Sequence, residues 1–343
     1  IDPALIEPAH LGIFGFRPAR LPKNTALSIM MDLSCTSTSN IWSLTKEKPL
    51  PPAGPIPLWS FSMVTEREMT LEELRVLANA PCVRHISNDT MARPFYSPSD
   101  PLYATQAHFT TLNAPAAWDT FYGATGATST VVIAIIDNGV ELTHSDLSSN
   151  LWTNSGEIAG NSLDDDGNGY TDDVYGYNFQ AGIGDPSPQS GASHGTHVAG
   201  LAAAREGNSV GGVGVMGRNI QIMTLNVFGT SGSASATDIN NGITYAGNKR
   251  AHVMNLSLGG PGTSSGTQLA LLNAVNVGTT IVAAAGNDAQ EITSGNFVYP
   301  AGYASGINGF VSVASVDALT SAISSFSNYS TTYVEIAAPG SNS

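Results

Sequence analysis

The chain has 343 residues, only 12% of them charged, with 13 Lys and Arg against 27 Asp and Glu for a net charge of −14. That length supports two domains with substantial cores, and 36 glycines among many small residues suit close α/β packing rather than a disordered chain. The acidic balance argues against nucleic acid or an anionic membrane as partner, and no apolar run is long enough to span a bilayer.

The chain opens on Ile1-Asp2-Pro3 with neither Met nor signal peptide, which fits an export signal already removed and a secreted protein. Residues 1–24 carry no pattern that places them. Ala26 to Leu33 reads as a strand, Pro49 to Pro57 as a proline-rich connector, and Leu58 to Val64 as a second strand. Thr70 to Leu77 reads as a helix: Thr70 N-caps it, Glu73 completes a capping box, and Leu71, Leu74 and Leu77 share one face. Pro81 ends that helix and Val83 to Ser87 forms a last short strand. The two cysteines, Cys35 and Cys82, both fall in this part, as buried thiols or as a disulfide. Phe95 to Asp100, marked by Pro94 and Pro98, reads as an exposed linker, giving domains of 1–95 and 96–343.

Beyond the linker, short apolar strands alternate with small-residue helices. Strands are expected at 131–136, 220–227, 252–256, 280–285 and 310–315, and helices at 196–205, 235–246 and 267–277. This alternation predicts right-handed βαβ crossovers and a parallel sheet covered by helices on both faces, an α/β fold. In such a sheet the ligand site lies beyond the carboxyl ends of the strands. Asp137 ends one buried strand and Asn287 follows another, while Ser193-His194-Gly195-Thr196-His197 opens an apolar helix. The two histidines three apart allow a metal site; His194 with Asp137 allows acid–base chemistry instead. Between Asp137 and His194, Asp164-Asp165-Asp166-Gly167-Asn168-Gly169-Tyr170 matches the start of a calcium loop, with Asp172 and Asp173 just beyond. The twelfth position is Tyr175 rather than a bidentate Glu, so this is not an EF-hand. Carboxylates packed this densely repel one another unless a cation sits among them. The expected Ca²⁺ ligands are Asp164, Asp166, Asn168, the Tyr170 carbonyl, and Asp172 or Asp173.

IDNGVELTHSDL, SHGTHVAG, NLSLGG, AAAGN, YPA and AAPG occur in that order, and at these residues the sequence resembles the subtilisin-like serine proteases from about Leu102 onward. The resemblance implies that His194 is the general base, that Asp137 orients its imidazole, and that Asn287 donates to the oxyanion. His197 is then assigned to buried packing. Ser257, Leu258 and Gly259 would pair with extended substrate, opposite a rim at Gly232 and Ser233. Ala284, Ala285 and Gly286 would line the first specificity pocket, with Val298 near its base, and that pocket is expected to be apolar and uncharged. Tyr299-Pro300 is expected to be cis. A second calcium position, at Asp146, Asn208 and the loop containing Val210, follows from the resemblance alone.

The family's Gly-Thr-Ser-x-Ala-x-Pro segment, which carries the nucleophile, occurs nowhere in these residues. The expected partners are therefore a protein or peptide substrate and a C-terminal fragment bearing the serine. The pattern LEELRVLANAP followed by a strand resembles the second half of the propeptides that fold and then inhibit these enzymes. If the small domain is that split βαβ sandwich, its first and last strands are antiparallel neighbours and Cys35 faces Cys82. The rival expectation is a non-catalytic relative that binds extended peptides without cutting them.

Overall fold

In the computed structural model the chain divides into two compact units, Ile1–Pro94 and Phe95–Ser343. The structure describes residues 97–124, 129–229 and 232–342, and in the first unit the segments 20–21, 26–32, 58–64, 69–70 and 83–88. There β1 (Arg20–Leu21) pairs with β4 (Met69–Thr70), and β2 (Ala26–Asp32) lies between β3 (Leu58–Val64) and β5 (Val83–Asn88). Both neighbours of β2 are antiparallel to it, as expected for the first and last strands. Thr70, the expected N-cap, ends β4; the rest of the expected helix, residues 71–77, and the pairing of Cys35 with Cys82 lie outside the described residues.

The second unit opens with the short α1 (His108–Thr111) and α2 (Ala114–Ala124). Its sheet has seven strands in the order β14-β13-β11-β9-β6-β8-β7, and every described pair is parallel. These are β6 (Val131–Asp137), β7 (Gly176–Asn178), β8 (Ile220–Asn226), β9 (Val253–Leu256), β11 (Thr280–Ala284), β13 (Phe310–Asp317) and β14 (Ile336–Ser341). A small antiparallel pair, β10 (Gly260–Pro261) with β12 (Val298–Tyr299), stands apart from it, and the Tyr299-Pro300 peptide beside it is cis.

Alternation along the strands builds two cores. Ala134 and Ile136 of β6, with Met223 and Leu225 of β8, pack under α4 (Ala236–Asn248) and α5 (Ser265–Asn276). Ile135 of β6 and Ile222 of β8 face the other way, under α3 (His194–Ala203). Ser235 caps α4 by accepting the Asp238 N–H at 3.1 Å, and Ser264 caps α5 by accepting that of Thr267 at 3.2 Å.

Two strands of the seven-stranded sheet were not expected. β7 is only three residues long, and β14 contains Pro339 and Gly340, which read as a turn. An edge strand tolerates proline because its outward N–H needs no ladder partner. Helix α3 starts two residues earlier than its pattern, which makes His194 its first residue.

Candidate active site

The carboxyl end of β6 and the amino end of α3 meet beside the central strands, with β8 on one side of β6 and β9 on the other. Chain direction across the sheet reverses there, which leaves a crevice. Gly195 permits the approach: a Cβ on it would lie 2.3 Å from the Gly139 carbonyl oxygen and 3.1 Å from the Asp137 Cβ. Asn138 secures the junction by accepting the Gly195 N–H at 2.8 Å, and Thr196 accepts the Glu141 N–H at 2.9 Å.

Asp137 is 1% exposed, and its two oxygens lie 2.8 and 2.9 Å from His194 Nδ1. The same carboxylate accepts the Asn138 N–H at 2.7 Å. An acceptor-only partner on Nδ1 holds the proton there and leaves Nε2 as the imidazole's basic edge. His194 is half exposed, so that edge is accessible. The Asp137 hydrogen bond raises the pKa of His194 above the ordinary histidine value, against burial, which lowers it.

His194 and Asp137 line one cleft with Gly232, Phe228 and Ser257. Ser257 also belongs to the neighbouring cavity, of about 480 Å³, lined by Leu258, Gly259, Ala284, Gly286, Asn287 and Val298. The general-base candidate and Asn287 thus open onto adjoining spaces. Ala285 is not in the wall: it is 1% exposed and packs with Ile292 and Val298. Its carbonyl still faces the loop's anchor, Asn328. Ser233 lies beside the rim as an exposed residue whose carbonyl accepts the Gly229 N–H at 3.0 Å. The expectation of an uncharged pocket is corrected, since Asp288, Gln290, Asn296 and Asn328 complete its lining.

His197 is also corrected. It is exposed on the outer turn of α3 and lines a different cavity, with His108 and His144. The two histidines three apart therefore do not form one ligand set.

The acidic loop divides its carboxylates. Oxygens of Asp164 and Asp166 lie within 4.8 Å of one another and of Glu157, which sequence spacing did not single out. Asn168 joins them through its backbone N–H, donated to both Asp164 (3.0 Å) and Asp166 (3.1 Å), while its Oδ1 accepts the Tyr170 N–H at 2.7 Å. Asp172 turns away to accept the N–H groups of Gly160, Asn161 and Ser162. Asp173 is fully buried and accepts from Tyr245, Asn154 and Asn168. The Tyr170 ring packs against Tyr177, Phe179 and Tyr245. For Ca²⁺ the remaining donors fit: they are all oxygen, and Glu157 Oε2 is buried without a hydrogen-bond partner among the described residues.

At the second expected position Asp146, 4% exposed, accepts from Asn208 Nδ2 at 2.7 Å and from the Gly212 N–H at 3.2 Å. The Val210 N–H closes the loop onto Asn208 Oδ1 at 2.8 Å. Burial pushes the Asp146 carboxyl up, and the nearby Asp100 carboxylate adds to the shift. Asp100, 5% exposed, holds the same loop through the Gly207 N–H at 2.9 Å, a contact that only the fold reveals. Two buried carboxylates that grip one loop from separate segments favour a cation beside them.

Residues 128–343 match the Subtilase family of peptidases (Peptidase S8). The chain belongs to the subtilase family. It is 38% identical over 247 residues to thermitase of Thermoactinomyces vulgaris, covering 72% of this chain and 74% of thermitase. Identity to halolysin of Haloferax mediterranei is 35% over 260 residues, 76% of this chain but 44% of halolysin. Among solved structures, a protease of Pseudoalteromonas arctica has 35% identity and a TM-score of 0.54, over 71% of this chain and 73% of its own. The subtilase fold thus accounts for the parallel sheet. No described helix of this subtilase is long and apolar enough to cross a membrane.

One residue with no sequence signal organises the pocket. Asn328, fully buried, accepts the Asp288 and Gln290 N–H groups at 3.0 and 3.1 Å and donates to the Ala285 carbonyl at 3.1 Å. It fixes the turn that presents Asn287. Gly286 makes room for it: its φ is +109°, and a Cβ there would lie 2.4 Å from Asn328 Nδ2.

Proposed function

We propose that this subtilase is a secreted serine endopeptidase in which Asp137 and His194 activate a serine hydroxyl carried on a segment outside residues 1–343. The two-oxygen contact of Asp137 with His194 Nδ1, beside the Asn287 pocket, carries the reading. His194 Nε2 takes the hydroxyl proton as the oxygen attacks the peptide carbonyl, and Asp137 stabilises the imidazolium. The Asn287 amide then donates to the oxygen on which negative charge develops. Protonated His194 returns its proton to the leaving amine, which leaves an acyl-enzyme for water to attack. Ser257, Leu258 and Gly259 supply an edge on which extended substrate pairs, with Gly232 and Ser233 on the opposite rim.

Calcium at Glu157, Asp164, Asp166 and Asn168, and again at Asp146 and Asn208, would neutralise clustered carboxylates and stabilise the fold. Residues 1–95 serve as a propeptide that inhibits the enzyme through its last strand. Tethering raises the local concentration of that strand, so inhibition persists after its own bond is cut.

In the protein completed by its serine-bearing segment, His194→Ala should lower turnover on a peptide substrate by about 10⁴-fold or more. The exposed His197→Ala should leave the chemical step intact. Residues 1–343 alone should hydrolyse nothing above background. A completed protein that binds extended peptides yet forms no acyl-enzyme would instead mark a non-catalytic relative.

A further inference from the structure

Among the described residues, the walls of the Asn287 cavity contain one ionisable side chain, Asp288, and no cation. Its carboxylate is held in place: Oδ2 accepts Asn328 Nδ2 at 3.3 Å, while the Asp288 N–H donates to Asn328 Oδ1 at 3.0 Å. The side chain is exposed, so its charge faces whatever enters. Leu258 and Val298 give the same cavity an apolar surface. A long side chain with a methylene stem and a cationic head satisfies both features, the stem on Leu258 and Val298 and the head at Asp288. A purely aromatic side chain would cover the carboxylate and strip its water without replacing it.

An independent observation points the same way. Residues 1–94 carry nine cationic and nine acidic side chains, whereas residues 95–343 carry four against eighteen, the whole of the chain's −14. All four cations are engaged. Arg205 donates to Asn150, Arg218 pairs with Glu206, Lys249 with Asp166, and Arg250 donates to the Val277 carbonyl. The long-range field of this unit is negative and draws cationic polypeptides toward it.

We propose that Asp288 makes this cavity a subsite for a lysine or arginine side chain, and that the natural substrates are basic polypeptides cut after such a residue. The proposal rests on reading the cleft as a peptidase substrate site, so two assays separate the claims. The first measures kcat/KM of the full-length enzyme on tetrapeptide anilides that end in Arg, Lys, Phe, Leu or Glu. In low salt the Arg and Lys substrates should lead. Asp288→Asn should lower the Arg-to-Phe ratio about fivefold, the size of one partly solvated ion pair. Asp238→Asn, an equal charge change on α4, should leave the ratio where it was, and high salt should erode it in the wild type. The second titrates the matching tetrapeptide acids against the protein by calorimetry and needs no hydrolysis. Stronger binding of the Arg-ended peptide, lost in Asp288→Asn, upholds the subsite even if no substrate is cut, in which case only the peptidase reading fails. A wild-type preference for Phe or Leu in both assays would overturn the proposal. So would an Arg-to-Phe ratio that Asp288→Asn leaves unmoved.

Discussion

Truncating Asn328 is the sharpest test of how this site is built. Its side chain makes four hydrogen bonds: it accepts from Asp288 and Gln290 and donates to the Ala285 carbonyl and to Asp288 Oδ2. Asn328→Ala removes all four and opens a gap against Gly286. The Ala285 carbonyl, on a residue 1% exposed, is left without this donor, whereas Asp288 and Gln290 are exposed enough for water to replace theirs. An unsatisfied buried group costs about 1–3 kcal/mol, and each exchanged bond about 0.5–1.5 kcal/mol. The expected loss is therefore at least about 2.5 kcal/mol in urea unfolding of the 343-residue chain, read as a fall in midpoint at constant slope. Asn328→Asp retains the acceptors but sets a carboxylate against the Ala285 carbonyl and Asp288. It should be at least as damaging at neutral pH and should recover as that carboxyl protonates. A loss below about 0.5 kcal/mol for Asn328→Ala would refute the anchoring role, because that is the scale of an ordinary surface change.

Three further outcomes are expected elsewhere in the chain. Adding a chelator should lower the melting temperature, and Asp166→Asn or Glu157→Gln should weaken that response; Asp172→Asn should loosen the turn at 160–162 while keeping it. A melting temperature indifferent to chelator would refute the metal reading of this loop. The pH dependence has two opposed parts. The raised pKa of His194 gives stability that is full below about pH 6.5 and is lost as pH rises through the folded value. His108, 7% exposed, has its pKa lowered by burial, so its contribution is full above about pH 6.5 and is lost as pH falls. Accordingly Asp137→Asn should remove the alkaline part and His108→Gln the acid part of a stability–pH curve, and unchanged limbs would contradict the assignments. Finally, residues 1–95 added in trans to the mature enzyme should inhibit competitively with peptide substrate, and trimming their last residues should weaken the inhibition. Non-competitive inhibition, or none at micromolar concentration, would give this unit another role.

Much of the frame was legible because its signals are local. Val131 to Asp137 reads as a buried strand from composition alone, and the small residues after His194 read as a close-packed helix. Strand β14 was not legible, because Pro339 and Gly340 carry turn signals that an edge position overrides. Asn328 was invisible for another reason: nothing near it in sequence needs an amide, and its partners lie about forty residues away, at Ala285, Asp288 and Gln290. The charge in the pocket was missed because Asp288 follows the AAAGN motif, and only the turn that Asn328 imposes sets its side chain in the wall.

The acidic loop shows why spacing alone overstates a ligand set. Alternating carboxylates at 164, 166, 172 and 173 look equivalent on paper, yet each is one of several acceptors that a fold can use. Buried Asp173 must be satisfied where it lies, and it meets Tyr245 from α4, with Lys249 Nζ 3.8 Å away. Asp172 closes a turn of three otherwise unpaired N–H groups. Those uses occupy both carboxylates, which stand outside the group formed by Glu157, Asp164 and Asp166. Asp164 and Asp166 remain, with Glu157 brought in from the preceding segment. Lys249 also pairs with Asp166, so one cation already offsets part of the cluster's charge. Lys249→Met should therefore strengthen Ca²⁺ binding at this loop while lowering stability in chelator, since the carboxylates it served would then depend on the metal alone. Calorimetric titration of both proteins decides it: weaker Ca²⁺ binding in Lys249→Met would mean that the lysine organises the ligands rather than competing with the ion.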